Sequence, residues 1–216
     1  ELTQQGNFLF RYRSYLPLLL FPLLISYNYL NHITTNSADN LLLAVAISYF
    51  GQLIRILTVA YIPPNTSGRN TRKQTAVTLN STGIYSLLRH PLYLGNYFIL
   101  LGPFLLFPSI QLIIIYSLLF WIYYERIMYA EEEYLINKFN DEFIKWADNI
   151  PAFIPKFSNF INPIGTFSVK RIIKREYSSL CGILFMFLVI IITTEKINSE
   201  NILPSNFVYI VLSINT

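Results

Sequence analysis

Four groups of residues in this sequence are of types that could do chemistry. The first is Arg89-His90-Pro91-Leu92-Tyr93, where a polar run gives way to an apolar one. A proline just inside a helix start leaves backbone N–H donors beside it, which could hold a carboxylate or a ribose, and His90 could hydrogen-bond a polar ligand. The same residues would also serve as an interfacial anchor, with the arginine snorkelling and the tyrosine in an aromatic belt. The second group is Glu131-Glu132-Glu133. Helical spacing fans three adjacent residues across about 200° of the surface, so at least one acid should face inward, beside Leu135 and Phe139. A carboxylate there would attract a cation or accept from an amine or hydroxyl. The third is Arg55 with Gln52, on one helix face inside an apolar run. An arginine so placed is costly and requires an anion: a glutamate, a lipid phosphate or a substrate. The fourth is Arg69, Asn70 and Arg72, either a solvated basic loop or a lid over a headgroup.

The elements that must position these groups are membrane helices. The chain has 216 residues, 53% hydrophobic and 13% charged, about half the charge of an ordinary soluble domain. The single Cys181 lies in an apolar run and offers neither a disulfide nor a cysteine metal cluster. No metal site is expected. Residues 2–15 are polar, carry Arg11 and Arg13, and should lie on the membrane surface; the first residue is Glu1, so the chain could be trimmed. Residues 15–30 form a first apolar segment, read as a retained anchor, with Pro22 expected to kink it. Residues 41–62 are a second span, and 63–82 a polar loop. Residues 92–107 and 110–124 flank Pro108-Ser109 as a hairpin. Each arm is roughly 23 Å as helix against a hydrocarbon core of about 30 Å, hence tight or tilted.

Residues 125–147 alternate acids and lysines with apolar positions and read as a separate amphipathic helix outside the hydrocarbon, ended by Pro151 and Pro155. A basic cluster, Lys170-Arg171 and Lys174-Arg175, precedes a further span at 177–193, and 205–214 is a last apolar piece. The expected fold is thus all-α and integral to a membrane, with about five to six transmembrane helices. It should be one domain: 1–82 on the acceptor side, 83–155 the core, 156–216 the C-terminal spans. Of 16 Lys and Arg, 14 fall before the first span, in 63–90 and in 125–175, which share one side of the membrane if each segment crosses as expected. The positive-inside rule makes that side cytoplasmic.

Taken together, Gly83-x-Tyr85, Arg89-His90-Pro91-x-Tyr93-x-Gly95, a hairpin, then Glu131-Glu132-x-x-Leu135-x-x-x-Phe139, Trp146 and prolines resemble the isoprenylcysteine carboxyl methyltransferase family and its phospholipid-methylating relatives. The matched stretch, 83–155, is about a third of the chain. It departs from the family at Asn140, where glycine is usual, and at Phe143 and Trp146, where tyrosine is frequent. The resemblance implies a membrane-embedded methyltransferase that takes S-adenosylmethionine from the cytosolic side. It implies that Tyr85, His90, Pro91, Leu92, Tyr93, Glu131 and Glu132 line the cofactor pocket. A fainter resemblance, over 6–17 and 66–71, is to bacterial lipid A 1-phosphate methyltransferases. It implies a bacterial inner membrane and a membrane lipid, rather than a nucleic acid, as partner; oligomeric state is not implied.

Methyl transfer to an anionic phosphate needs no general base, only cations that hold the acceptor. Arg55, Arg69, Asn70 and Arg72 are the expected acceptor-binding residues, and Arg126, Glu131 and Arg55 the expected catalytic ones. An amine acceptor, as in N-methylation of an aminophospholipid, would need His90 or Glu131 as base. A membrane sterol-type reductase using NADPH is the other reading; its cofactor phosphates would want cations where this chain has Glu131–Glu133.

Overall fold

The fold is known from a computed structural model, which describes residues 1–31, 38–62, 76–107 and 109–198. Among these residues the secondary structure is helical, with a single isolated bridge between Gly83 and Ile161. The helices are α1 (Leu2–Tyr12), α2 (Leu16–Asn31), α3 (Ala38–Ala60), α4 (Pro91–Leu105), α5 (Ile110–Phe139), α6 (Asp141–Ala147) and α7 (Val169–Asn198). Asn40–Ala60, Ile110–Phe139 and Val169–Lys196 are long and apolar enough to cross a membrane, and Pro91–Leu105 is a shorter apolar helix. The protein is an all-α integral membrane protein.

The structure corrects the expected course of the chain after residue 124. No separate amphipathic helix begins there. α5 runs unbroken for 30 residues from the apolar stretch out into the charged one, about 45 Å of continuous helix. Between Gln111 and Phe139 no proline or glycine interrupts it, and alanine, leucine, methionine and glutamate favour continuation. Ser109 caps its start, its Oγ accepting from the Leu112 N–H. The break falls at Asn140, whose φ is +46°. With ψ at −123° it lies outside the left-handed helical region, a backbone that glycine adopts freely and that a side chain strains, so the asparagine holds the turn that separates α5 from α6 at some cost.

Residues 2–12, within the stretch expected at the membrane surface with no conformation assigned, form a helix, and it lies antiparallel along the charged half of α5. Thr3 donates to Glu133, Arg126 Nε to Gln5 Oε1 at 3.0 Å, and Tyr123 to the Leu9 carbonyl at 3.1 Å.

The expected 92–124 hairpin is not the tightest helix pair; α4 packs most closely on α3. Ala44, Ser48 and Gly51 of α3 face Gly95, Ile99 and Gly102 of α4, and the Ser48 hydroxyl donates to the Ile99 carbonyl at 2.8 Å. Small residues let the two backbones approach, the usual route to tight helix packing in lipid. A Cβ on Gly51 would stand 2.4 Å from the Gly95 carbonyl oxygen and 2.7 Å from the Ile99 nitrogen. Both are backbone atoms that cannot swing aside. Gly51→Ala is therefore expected to cost about 1–3 kcal/mol, read as a lowered melting temperature in detergent or nanodiscs.

The core is aromatic. Tyr93 and Phe104 of α4, Phe107 just beyond its end, and Tyr116, Phe120 and Tyr124 of α5 pack with Phe10, Leu24, Ile183 and Phe187 from α1, α2 and α7.

Candidate functional site

The segment before α4 is pinned, strand-like, to the segment after α6. Gly83 N–H donates to Ile161 O at 2.9 Å, Lys156 N–H to Leu87 O at 3.0 Å, Arg89 N–H to Pro151 O at 2.9 Å, and His90 N–H to Ala152 O at 3.1 Å. Gly83 adopts φ +64° with Pro163 against it, a conformation that a side chain would strain. These bonds fix the backbone of His90 at the N-cap of α4, with Pro91 at the first helical position.

The His90 side chain turns toward α5. Its Nε2 lies 2.7 Å from Glu132 Oε1, and its Nδ1 lies 3.6 Å from Glu131 Oε2, an ion-pair distance beyond hydrogen-bond reach. Arg89 NH1 donates to the other oxygen of Glu132 at 3.0 Å. The imidazole is buried while both carboxylates keep about a quarter of their surface exposed. Burial pulls the imidazole pKa down; the hydrogen bond with Glu132 and the charges of Glu131 and Glu132 outweigh it and hold it above the ordinary 6.5. Glu133 points elsewhere, to Thr3 of α1.

Next to this charged cluster is an aromatic wall. The Tyr93 ring stacks on His90 with centroids 5.8 Å apart and meets Tyr124 at 4.9 Å; Tyr124 stacks on Phe120 at 4.1 Å. The buried Tyr93 hydroxyl and the buried Arg89 Nε have no hydrogen-bond partner among the described residues. Leu92 sits half-buried in the same helical turn, and Tyr85 lies on a 3₁₀ turn, Ile84–Ser86, that leads into the segment.

One turn deeper, a second polar cluster ties four helices together. Arg55 grips Glu176 of α7 with two parallel bonds, Nε to Oε2 at 2.8 Å and NH2 to Oε1 at 2.9 Å. Gln52 donates to the same Oε2 at 3.0 Å and accepts from Ser179 at 2.7 Å. Arg55 NH1 reaches Asn96 Oδ1 at 2.6 Å, and Asn96 donates to the Tyr124 hydroxyl at 3.2 Å. Glu176 is 2% exposed.

Of the residues expected from the sequence, His90, Pro91, Leu92, Tyr93, Glu131 and Glu132 come together at the α4–α5 junction. Arg126 does not join them. It is five residues from Glu131, which on a helix is about 140° of rotation, and it lies on the α1–α5 seam bonded to Gln5 and to the Ile122 carbonyl. Arg55 meets an anion, but that anion is Glu176. Arg69, Asn70 and Arg72 lie outside the described residues. Sequence reasoning missed Glu176, Asn96 and Tyr124. The available signal was Glu176 itself, a lone acid at the head of a long apolar run, matching the lone arginine inside α3. Arg13 was also passed over as a site residue; it lies close enough to Tyr93 and Tyr124 to act on them electrostatically.

Residues 40–142 match the family model described as phospholipid methyltransferase. The chain is 33% identical to the protein-S-isoprenylcysteine O-methyltransferase of Saccharomyces cerevisiae over 39% of its own length and 36% of that protein. It is 27% identical to the mouse enzyme of the same name over 58% and 44%. It is also 36% identical to the cobalt-zinc-cadmium resistance protein CzcN of Cupriavidus metallidurans over 38% and 37%. The chain thus spans little more than a third of the length of the first of these relatives. No solved structure matches it. The match at 40–142 contains α4, α5, most of α3 and the His90–Glu131–Glu132 cluster, so it is over its central membrane stretch that the chain is similar to the phospholipid methyltransferase family.

Proposed function

We propose that the chain is an integral-membrane methyltransferase. It moves a methyl group from S-adenosylmethionine to a phosphate oxygen of an anionic lipid headgroup, of the lipid A 1-phosphate kind. The site faces the cytoplasm, in a bacterial inner membrane. The charge asymmetry of the loops supports that orientation, and the names of the relatives, O-methyltransferases, support an oxygen acceptor.

The residues present fit such a cofactor. The Glu131 carboxylate makes an ion pair but no hydrogen bond with His90, which leaves it free to accept from an amine or a ribose hydroxyl. The buried Tyr93 hydroxyl, without a hydrogen-bond partner among the described residues, is a second polar group for the cofactor to meet. When bound, S-adenosylmethionine supplies an electrophilic methyl group on a sulfonium. The chain's own work is to hold donor and acceptor in line at about 3 Å.

The observation that carries the phosphate acceptor is the state of His90. Both ring nitrogens of this imidazole face carboxylates, Nε2 at 2.7 Å from Glu132 and Nδ1 at 3.6 Å from Glu131, so neither is turned toward an acceptor. It is a poor general base, so an acceptor that must lose a proton is disfavoured. A phosphate monoester is already ionised near neutral pH.

Two measurements test this. S-adenosylhomocysteine should raise the melting temperature of the purified protein. Labelled S-adenosylmethionine with a total membrane lipid extract should place the label on a phosphate oxygen, read by mass spectrometry. Label on an amine would replace the reading with N-methylation. Stabilisation by NADPH and none by S-adenosylhomocysteine would sink it in favour of a reductase.

A further inference from the structure

Arg55 cannot readily serve an acceptor phosphate, because its guanidinium is committed to Glu176 through two bonds and to Asn96 through a third. Giving it up would leave a carboxylate that is 2% exposed without its counter-charge, an expensive exchange. Another cation stands at the shallower end of the same helix. Arg175 of α7 is half-buried, next in sequence to Glu176, with Arg171 and Tyr85 as its electrostatic neighbours. Among the described residues it makes no hydrogen bond or ion pair, although Arg171, one turn before it, is engaged with the Ala60 and Thr166 carbonyls. Two arginines one helical turn apart therefore stand at the start of α7, with one guanidinium uncommitted among the described residues.

We propose that Arg175 is an acceptor-binding residue, holding the phosphate of a lipid headgroup at the start of α7. The placement suits the chemistry. A partly desolvated guanidinium binds phosphate with charge-assisted, often bidentate bonds. A phosphate there would also relieve the repulsion between Arg175 and Arg171. α7 lies outside the matched stretch 40–142. The assignment of that phosphate as the methyl acceptor rests on the methyltransferase reading; phosphate binding itself does not.

The test uses the full chain in phosphatidylcholine nanodiscs with and without phosphatidic acid, a lipid phosphate monoester. Phosphatidic acid retention is measured by native mass spectrometry, and S-adenosylhomocysteine binding by thermal shift. Arg175→Gln is expected to lower phosphatidic acid retention about tenfold. It should leave the S-adenosylhomocysteine shift unchanged and the unliganded melting temperature equal or higher, since a like-charge neighbour is removed. Arg175→Lys should keep part of the retention, and Lys174→Gln, on an exposed neighbour, all of it. Unchanged retention in Arg175→Gln overturns the proposal. So does an equal loss in Lys174→Gln, which would mean diffuse attraction to a basic surface, or a lost S-adenosylhomocysteine shift in Arg175→Gln, which would place the arginine on the cofactor. Displacement of the lipid by inorganic phosphate at equal concentration overturns the lipid as its source. A wild-type protein that retains phosphatidic acid through Arg175 but ignores S-adenosylhomocysteine would refute the methyltransferase reading and leave the phosphate site standing.

Discussion

Replacing Glu176 with alanine is expected to destabilise the folded protein by about 3–5 kcal/mol, the usual loss when one partner of a buried ion pair is removed. The carboxylate accepts three hydrogen bonds, two from Arg55 and one from Gln52. Its loss strands a guanidinium that is only 18% exposed, and frees the Gln52 amide within α3. The pair itself need not be worth that much, since taking two charges out of water offsets most of their attraction. The informative comparison is therefore the double variant Arg55→Met with Glu176→Met. It is expected to recover most of the loss, within about 1–2 kcal/mol of the parent. Thermal melts of both single variants and the double variant in nanodiscs give the coupling directly. The same proteins settle a functional point. If the double variant folds and still methylates lipid, Arg55 is a structural member of the α3–α7 clamp. If it folds but is inactive, the expected catalytic role of Arg55 survives, exerted through Asn96 and Tyr124.

Much of the helical architecture could be read from the sequence, because apolar run length and proline placement are local properties. The starts of α3 and α4 follow from them, and so does the separation of α4 from α5. What could not be read were the decisions that local pattern leaves open. The charged residues of 125–139 have the composition of a surface helix, but composition does not say whether such a helix starts afresh or continues an earlier one; only the absence of a breaker between Gln111 and Phe139 tells, and it was outweighed by the change in polarity. α1 had the opposite problem: its 11 residues are marginal as an isolated helix, and it is ordered by its contacts with α5, more than a hundred residues away in the chain.

The same distinction applies to the candidate site. His90 and the glutamate pair were proposed as neighbours through resemblance, and geometry brings them together because α5 lies beside the start of α4. The partner of Arg55 was open by the same logic in reverse. A buried arginine announces that an anion exists, not which one. Glu176, 121 residues further on, was hidden in a run of lysines and arginines, where an acid reads as ordinary surface charge. Arg126 was misplaced by counting residues without counting rotation.

Glu132→Ala is expected to abolish the thermal shift with S-adenosylhomocysteine, and the pH dependence of the cluster tells whether this is for the reason given. Glu132 bridges His90 at 2.7 Å and Arg89 at 3.0 Å, and Arg89 already carries one buried nitrogen without a partner. Two charge-assisted bonds are lost at once, about 3 kcal/mol or more between them after allowing for the partial exposure of the carboxylate. That corresponds to roughly a hundredfold in Kd if the loss falls on the ligand-competent state. The sign of the pH effect follows from His90. Its folded pKa is raised above 6.5 by the two carboxylates, so the folded state binds its proton more tightly than the unfolded chain does. The stability it contributes is full below about pH 6.5 and is lost as pH rises through the folded pKa. The melting-temperature difference between the parent and His90→Gln should be constant in mild acid and shrink above pH 6.5. In Glu132→Gln, with Glu131 at 3.6 Å as the nearest remaining carboxylate, the contribution in mild acid should be smaller and the decline should be complete at lower pH. A difference that grows as the pH rises would show that His90 is held neutral, restoring it as a general base and reopening the case for an amine acceptor.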